Sequence, residues 1–377
     1  MEEVKGFRDF LGEEAKKREK IIEIIKEVFK KYGFEPAETP VIEYEEFVKG
    51  NNQDDEAVRD VFKLKDRGER NLALRYEFTF QLKRISKNQK LPFKRYQIGY
   101  VFRDEPIRRG RLRQFIQCDV DVVGSTIKDE AEVLCLTKEC FDKLKIPVKI
   151  FVNNRKLLDE ILEEQKIKKE NREQVLRELD KIGKINEKEI EEKLKELKAE
   201  NILNIFNKDE NFFSKYKSFN EIEELKKYCS YFGFDVFFKP NLVRGLSYYN
   251  GSVFEIYSDE LNVSLSGGGS YLVSGIQSTG ISLGLEPIFL VAKINLDGES
   301  YLVISLGKDK EAAELSQKLR RKGLIVDFIS GKSPTKALEY ANSKKIKKVI
   351  FVGENEVKNK KFKVKNLETG KEEDLKI

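Results

Sequence analysis

Residues 101–117 have the sequence VFRDEPIRRGRLRQFIQ, in which the arginines are Arg103, Arg108, Arg109, Arg111 and Arg113. The flanking residues have strand character, and PIRRG between them is typical of a turn, so we predict two antiparallel strands joined by a hairpin loop. Five guanidinium groups on one turn repel one another unless an anion lies among them. The stretch therefore predicts a phosphate-binding hairpin. The alternative is a solvated basic turn with an incidental Arg–Glu pair.

Arg103 and Glu105 lie two residues apart where the first strand leaves the core, so both side chains point to one face. A phosphate-binding arginine beside a carboxylate that can hold Mg²⁺ suits a nucleoside triphosphate. Alternation also places the last two arginines of the stretch on one strand face, with the middle two at the tip of the turn.

The sequence on either side of this hairpin predicts an α+β fold. Residues 11–34 have apolar residues at helical spacing, and Gly33 is placed to end that helix. Residues 34–48 have the pattern of extended chain broken by two prolines. Alternation on both sides of DRGER predicts a second hairpin at 59–79.

Two further segments carry candidate binding residues. In LRYEFT, Glu77 and Thr79 are predicted to share a strand face, where they could receive an ammonium group; the alternative is an ordinary surface glutamate. In LVRGLSYYNGSVFEIY, Arg244 begins a turn that contains glycine, and Tyr248 and Tyr249 follow it. An arginine followed by tyrosines suits a pocket for a small, charged, planar ligand. Paired tyrosines in an ordinary strand, one buried and one exposed, are the alternative.

The pattern of the chain changes at two points. From about residue 154 it is charged and helical without strand pattern, and after a linker near residue 297 it alternates as β-α-β-α-β. We therefore predict a core in two parts, 1–153 and 229–294. A helical insertion at 154–228 separates these parts, and a C-terminal α/β domain at 299–377 follows them.

The composition excludes several classes of site. The 377 residues include no histidine, which rules out His-ligated metal centres and Ser-His-Asp or Cys-His catalysis. No GxxxxGK[ST] or GxGxxG motif occurs. Residues 301–377 contain 19 Lys and Arg against 11 Asp and Glu, a net +8, which leaves −2 of the total +6 for the rest. This asymmetry indicates either a polyanionic partner, most plausibly nucleic acid, or a solvated lysine surface.

The chain also carries features that bear on its location. It has no apolar run of eighteen residues and no apolar signal region near its start, which argues against a membrane span and a signal peptide. Its four cysteines form no CxxC pair, so buried thiols in a reducing compartment are expected. We predict a cytoplasmic protein without a membrane partner.

In their order along the chain, these motifs resemble the class II histidyl-tRNA synthetases. Residues 31–44 are similar to the first, dimer-forming motif of that family, and residues 102–124 are similar to the second motif and its loop. Residues 244–255 resemble the histidine-binding signature. Residues 153–162 resemble the insertion of archaeal-type members, and residues 305–357 resemble the anticodon-binding domain.

The resemblance implies a histidine–tRNA ligase that forms histidyl-adenylate from histidine and ATP and transfers histidine to tRNA(His). It also implies a homodimer. The ATP site implied by the resemblance consists of Arg103, Glu105, Arg111 and Arg113, with Mg²⁺ at Glu105. The tRNA acceptor end would meet Arg108 and Arg109. The histidine site would contain Glu77, Thr79, Gln117, Asp121, Arg244, Tyr248, Tyr249 and Tyr271. Arg103 and Arg244 would be the catalytic pair on the α-phosphate.

The chain departs from the family pattern at several positions. Pro287 stands where the third motif normally has the arginine that holds the γ-phosphate. Ser270 and Leu272 replace an arginine and an aspartate, and Phe78 replaces a glycine. We expect these changes to lie near ATP and the pocket. They support an alternative function, a synthetase-like paralogue that binds histidine or tRNA and regulates without aminoacylating.

Overall fold

The computed structural model describes residues 2–50, 60–182, 186–244, 248–296 and 299–375. The chain divides into two compact units, Met1–Ile294 and Asn295–Ile377. The predicted boundaries of the helical insertion at 154–228, inside the first unit, stay a prediction. Among the described residues, no helix is long and apolar enough to cross a membrane.

The helices of the first unit are α1 (Gly12–Lys31), α2 (Glu45–Lys49), α3 (Leu82–Ile85), α4 (Ile127–Lys143), α5 (Arg155–Glu164), α6 (Lys169–Leu179), α7 (Glu187–Glu196), α8 (Asn201–Phe206), α9 (Phe219–Tyr231) and α10 (Leu285–Val291), with a 3₁₀ helix at Glu210–Lys215. Its strands are β1 (Glu35–Pro36), β2 (Ile42–Tyr44), β3 (Lys63–Lys65), β4 (Asn71–Leu74), β5 (Phe93–Phe102), β6 (Gln114–Val123), β7 (Lys149–Asn154), β8 (Phe237–Phe238), β9 (Tyr249–Ser258), β10 (Leu261–Val273) and β11 (Ile276–Gly284). The predicted first helix and the hairpin of β5 and β6 are confirmed.

Eight strands form the main sheet in the order β1-β5-β6-β11-β10-β9-β7-β8. The six central strands, β5 to β7 in this order, pair with one another in antiparallel fashion. The short edge strands β1 and β8 pair in parallel with β5 and β7. A separate three-stranded sheet, β2-β4-β3, contains the second predicted hairpin. These sheets and helices confirm the α+β prediction.

Alternate residues of the main sheet face two different environments. Cys118, Val120 and Val122 of β6 belong to the large hydrophobic core, together with Ile21 of α1 and Leu134 of α4. Because side chains alternate along a strand, the residues between them point to the opposite face. That opposite face carries the polar side chains of the site.

The helix α10 is fixed to α1 by a buried ion pair. Arg18 Nη2 lies 2.7 Å from Glu286 Oε1, and both side chains are almost fully buried. Glu286 also accepts a hydrogen bond from the backbone N–H of Ile116 (3.2 Å). The helix that carries Pro287 is therefore held to both α1 and β6.

The second unit is the predicted α/β domain. Its elements are β12 (Ser300–Ser305), α11 (Asp309–Arg321), β13 (Ile325–Ile329), α12 (Pro334–Ser343), β14 (Lys348–Val352), α13 (Glu354–Asn359), β15 (Lys363–Asn366) and β16 (Glu372–Asp374). The strand order is β13-β12-β14-β15-β16, with the first three strands parallel and the last two antiparallel. The β-α-β-α-β alternation is confirmed.

Three local predictions were wrong. Residues 45–48, expected to be extended, belong to the helix α2 (Glu45–Lys49). Glu77 and Thr79 do not share a strand, because β4 ends at Leu74. The chain instead bends after β4 and leads into α3, where the backbone N–H of Leu82 donates to the carbonyl oxygen of Thr79 (3.0 Å). The last two arginines of the 101–117 stretch precede β6 and so do not share a strand face.

Candidate active site

The polar face of β6 forms the floor of the candidate site. Gln117, Asp119 and Asp121 are all buried on it. Asp121 forms an ion pair with the fully buried Arg95 of β5 (Nη2 to Oδ2, 2.6 Å) and accepts a hydrogen bond from the hydroxyl of Tyr271. This arrangement places a carboxylate, a guanidinium and a phenol in contact below the surface.

The remaining floor residues are also hydrogen-bonded. Gln117 Nε2 donates to Ser282 Oγ of β11 (2.7 Å). Ser282 lies opposite Asp119 in the pairing of β11 with β6, and Gln97 of β5 lies opposite Asp119 on the other side. Together with Tyr271 of β10, these residues are polar side chains from four adjacent strands, β5, β6, β11 and β10, on one face of the sheet.

Burial changes the acidity of the carboxyl groups in this floor. It raises the pKa of Asp119 to about 7, with a further increase from Asp121 and an opposing effect of Arg95. Burial also raises the pKa of Glu77 to about 7, although Arg103 lowers it. The pKa of Asp121 is raised by burial in the same way, and Arg95 opposes the change. Perturbed carboxyl groups that lie close together in a buried position are typical of a functional site.

A cluster of three tyrosines covers the floor next to Glu77. Tyr248 donates a long hydrogen bond to Glu77 Oε2 (3.4 Å). Its ring centroid lies 4.7 Å from that of Tyr249 and 5.4 Å from that of Tyr271. Because aromatic rings and phenol oxygens line the same space, the cluster can pack against a flat ligand and hydrogen-bond to it.

Arg103 lies directly after the end of β5. Its Nε donates to the carbonyl oxygen of Tyr76 (3.1 Å), and its guanidinium lies over the ring of Phe115 (5.3 Å to the centroid). Glu105 Oε1 is 3.7 Å from Arg103 Nη1, so the predicted pair does lie together. The ion pair is long and partly exposed, which leaves the guanidinium able to contact an anion.

Arg244 lies above the opposite part of the floor. Its Nη1 donates to Glu255 Oε1 of β9 (3.1 Å). A β-carbon at Gly267 would overlap with this guanidinium, so the glycine leaves the space that Arg244 occupies. Burial lowers the pKa of Arg244, but Glu255 and Tyr249 outweigh that effect and raise it, which keeps the side chain charged.

Both arginines border the same cluster of side chains. The charge of Arg103 acts on Glu77, and the charge of Arg244 acts on Tyr248 and Tyr249. Glu77 and Tyr248 are themselves in contact. Arg103 and Arg244, which come from distant parts of the sequence, therefore act on one cluster of buried carboxylates and tyrosines.

The other arginines of the hairpin differ in their surroundings. Arg111 is exposed and lies 3.5 Å from Glu105 Oε2. Arg113 is more constrained, with an ion pair to Asp104 (3.0 Å) and a hydrogen bond to the carbonyl oxygen of Glu105 (3.2 Å). Arg108 and Arg109 are exposed at the tip, where Arg108 pairs with Arg111 across the turn.

Glu105 is the carboxylate that pairs with both Arg103 and Arg111. Its two ion pairs are long, and its side chain is about one-quarter exposed (26%). In the part of the chain that is described, no group of three or more Cys, Asp or Glu side chains is placed to hold a metal ion. One carboxylate together with substrate phosphates is, however, a common set of ligands for Mg²⁺. Glu105 fits that requirement.

The departures from the family pattern do not all lie in the pocket. Pro287 packs close to Gly110 at the tip of the arginine hairpin. Phe78 is fully buried, and Arg75 lies over its ring (4.8 Å). Ser270, expected near the pocket, instead bonds to Glu130 of α4 on the opposite face of the sheet. Leu272, also expected there, is about half exposed (49%).

Several site residues escaped the sequence analysis. Asp119 could have been found, because it lies between Gln117 and Asp121 at the same two-residue spacing. Arg95 and Glu255 could not, since their contacts with Asp121 and Arg244 depend on which strands become neighbours. Thr79 follows Glu77 by two residues and is partly buried.

Comparison with known proteins agrees with this geometry. Residues 6–288 match the family model described as histidyl-tRNA synthetase, and residues 300–377 match the anticodon binding domain. The chain is 34% identical to histidine–tRNA ligase 1 of Bacillus cereus, with 99% of this chain and 94% of the relative covered.

Solved structures give the same fold. The histidyl-tRNA synthetase of Nostoc superimposes with a TM-score of 0.84 at 24% identity, over 99% of this chain and 96% of that one. A Bacillus halodurans structure titled ATP phosphoribosyltransferase regulatory subunit/histidyl-tRNA synthetase superimposes with a TM-score of 0.77 at 22% identity, over 90% and 96%. The chain therefore belongs to the histidyl-tRNA synthetase family of aminoacyl-tRNA synthetases.

Proposed function

We propose that this protein is an active histidine–tRNA ligase, which activates histidine with ATP and transfers it to tRNA(His). The observation that carries the proposal is that the charges of Arg103 and Arg244 act on one cluster of buried carboxylates and tyrosines. A ligand with a cationic amino group, a flat ring and an anionic carboxylate is complementary to the charges and aromatic rings of this cluster.

Histidine would bind with its amino group at Glu77, assisted by Thr79 and Gln117. Its imidazole would meet Asp121 and Tyr249, with Tyr248 and Tyr271 packing around the ring. The Asp121–Arg95 pair and the hydroxyl of Tyr271 orient the Asp121 carboxylate, which would accept a hydrogen bond from an N–H of the ring. Arg244 would face the carboxylate of histidine.

ATP would bind along the arginine hairpin, with Arg103 on the α-phosphate and Arg111 and Arg113 along the chain of phosphates. Mg²⁺, held by the phosphates and Glu105, would neutralise part of their charge. Arg111 has the greater freedom for this contact, because Arg113 is already paired with Asp104.

The chemistry needs positive charge more than it needs a base. Attack of the histidine carboxylate on the α-phosphate brings two anions together and builds negative charge at one phosphorus. Arg103 and Arg244 are charged groups already held in position by Phe115, Tyr76 and Glu255, so little reorganisation is required. A chain without histidine can therefore carry out this reaction.

Transfer to tRNA involves the two arginines at the hairpin tip and the second unit. Arg108 and Arg109 are exposed and would contact the acceptor end. The +8 charge of residues 301–377 would attract the anticodon arm, since lysine-rich surfaces bind phosphate backbones.

A homodimer and a cytoplasmic location are part of this proposal. The segment similar to the first, dimer-forming motif exposes three large apolar side chains, Val41, Ile42 and Tyr44. Exposed apolar groups close together are typical of an interface. The free cysteines, three of them buried, are compatible with a reducing compartment.

Histidine-dependent exchange between ATP and pyrophosphate tests the proposal. The intact protein should catalyse exchange, and Arg103→Ala or Arg244→Ala should each lower it by roughly 10²- to 10³-fold, because each removes a charge from the transition state. Arg67→Ala, which changes an exposed arginine in a distant turn, is the matched control and should leave exchange unchanged.

One observation favours the second candidate function, a regulatory paralogue. Pro287 offers neither charge nor an N–H donor at the place where the family has its γ-phosphate arginine. For a paralogue, the intact protein would bind tRNA or histidine but give no exchange. Arg109→Ala also distinguishes the two functions. In an active ligase it should reduce aminoacylation of tRNA while ATP–pyrophosphate exchange remains.

A further inference from the structure

The lead-in segment, residues 239–244 (KPNLVR), carries Arg244 at its end and begins with a backbone hydrogen bond from Lys239 to Val152 of β7 (3.0 Å). Asn153 of β7 is fully buried, and its Nδ2 donates to the carbonyl oxygens of Pro240 (2.9 Å) and Leu242 (3.0 Å). Both bonds reach the backbone of the segment. The sheet therefore fixes the path of the chain just before Arg244.

The two residues that precede Arg244 pack into different cores. Leu242 belongs to the apolar cluster under the pocket, together with Tyr249 and Tyr271. Val243 instead belongs to the insertion core, which consists of Leu158, Leu162, Ile167, Val175, Leu176, Leu179, Ile190, Leu194, Ala199, Ile202 and Val243. Val243 is 6% exposed and lies outside the insertion in sequence, whereas the other buried residues of this core lie between Leu158 and Ile202.

The insertion also reaches Arg244 electrostatically. The carboxylate of Asp180, directly after α6, contributes to raising the pKa of Arg244 and acts on Tyr257 of β9 as well. A charge of the insertion therefore acts on the guanidinium. A packing contact at Val243 and a charge at Asp180 connect the same two parts of the molecule.

We propose that the helical insertion positions Arg244 through Val243, with Asn153 as the opposing anchor on the sheet. This inference rests on the proposed function and deepens it, because Val243 and Asn153 become positioning residues for the carboxylate-binding arginine. A displacement of about 1 Å in a charged group can cost 10²-fold in rate, so a neighbour that fixes the backbone of Arg244 influences the chemistry.

A comparison of two ligands separates positioning from simple stability. Histidinol has CH₂OH in place of the carboxylate of histidine, so it keeps the imidazole and amino contacts but gives Arg244 no anion to bind. Val243→Ala should weaken histidine binding about tenfold and histidinol binding less than twofold. Asn153→Ala should behave in the same way, and both should lower the rate of ATP–pyrophosphate exchange.

The matched control is Val175→Ala, which makes the same change at a fully buried position of the same core, away from the lead-in segment. It should lower the melting temperature as Val243→Ala does but leave the affinity for both ligands unchanged at a temperature where every variant is folded. Isothermal calorimetry on the full chain measures both affinities. Val243→Ile, which keeps a branched apolar side chain at this position, should bind histidine as the intact protein does.

Equal weakening of histidine and histidinol in Val243→Ala, or no weakening of either, would overturn the inference. If Val243→Ala does not fold, Val243→Thr and Asn153→Ser, read in the same way, decide the matter. An intact protein that binds histidine and catalyses exchange while the variants show no selective loss sinks this inference alone. An intact protein that does neither sinks the proposed function and this inference together.

Discussion

The two faces of the eight-stranded sheet are built from alternate residues of the same strands, but they are stabilised differently. On β6, Cys118 and Val120 pack against helices on one face, whereas Asp119 and Asp121 are equally buried on the other. Burial of the apolar face is favourable, because it removes apolar surface from water. Burial of the polar face is costly, because carboxylates lose hydration, and it raises the pKa of Asp119 to about 7.

The difference shows where the molecule keeps buried charged groups that reduce its stability. A structure selected for stability alone would place apolar residues on both faces, since replacing a buried ion pair by apolar residues is often neutral or stabilising. This chain instead keeps Arg95, Asp119, Asp121 and Glu77 together below two arginines. Under the proposed function the polar face serves ligand binding, and the following predictions test that separation.

The largest effect is expected for Arg95→Leu on the polar face. Loss of this guanidinium leaves Asp121 buried without its ionic partner, which should reduce the free energy of unfolding by about 3–5 kcal/mol in urea denaturation at pH 7.5. The neighbouring residue of the same strand provides the control. Lys94→Ala removes a partly exposed pair with Glu132 and should cost about 1 kcal/mol or less. Similar losses for the two variants would contradict a buried ionic floor.

Leu283→Ala tests the apolar face. Leu283 of β11 is fully buried in the large core, so truncation should reduce the free energy of unfolding by about 3 kcal/mol and leave exchange activity intact below the transition. Ser282→Ala, one residue earlier, should instead affect exchange activity more than stability. It removes the acceptor of Gln117, costs about 1 kcal/mol of stability, and lowers exchange. If both variants lost activity to the same extent, the faces would not be functionally distinct.

Glu77→Gln tests how burial of a carboxyl group makes the free energy of unfolding depend on pH. Burial raises the pKa of Glu77 to about 7, so the folded chain holds this proton more tightly than the unfolded chain. That contribution to stability is complete below the unfolded pKa, near 4.5, and is lost as the pH rises to about 7. The variant should therefore lose less stability than the intact protein between pH 5 and 7, by on the order of 2 kcal/mol.

Denaturation curves at a series of pH values measure this difference. The exposed Glu19 provides a matched control, because Glu19→Gln should keep the pH dependence of the intact protein. A pH profile of Glu77→Gln identical to that of the intact protein would show that the Glu77 carboxyl group titrates as it does in the unfolded chain.

The smallest effect is expected on the solvent side of α4. Lys138 and Asp142 form an exposed pair one helical turn apart (2.7 Å). Lys138→Ala should change the free energy of unfolding by only about 0.3–0.5 kcal/mol, because water competes for both charges. A loss above about 1 kcal/mol, measured by the same urea titration, would mean that exposed ion pairs contribute as much as the buried floor.

The sequence predicted the sheet strands that carry the site better than the residues between them. The hairpin of β5 and β6 follows from strand alternation around PIRRG, and the structure confirms it. The same reasoning wrongly extended β4 through Glu77, because alternation in sequence does not show where a chain bends away from its partner strand. The chain bends after Leu74 and leads into α3.

The sequence by itself determined which residues of each strand share a face, since that alternation depends only on the backbone geometry of neighbouring residues. It also determined the net charge of the terminal domain. Only the tertiary structure decided which groups meet across the chain: Arg95 with Asp121, Arg103 with Glu77, and Val243 with the insertion core. These contacts join residues that are far apart in sequence, and they depend on strand order and helix packing, for which no local pattern exists.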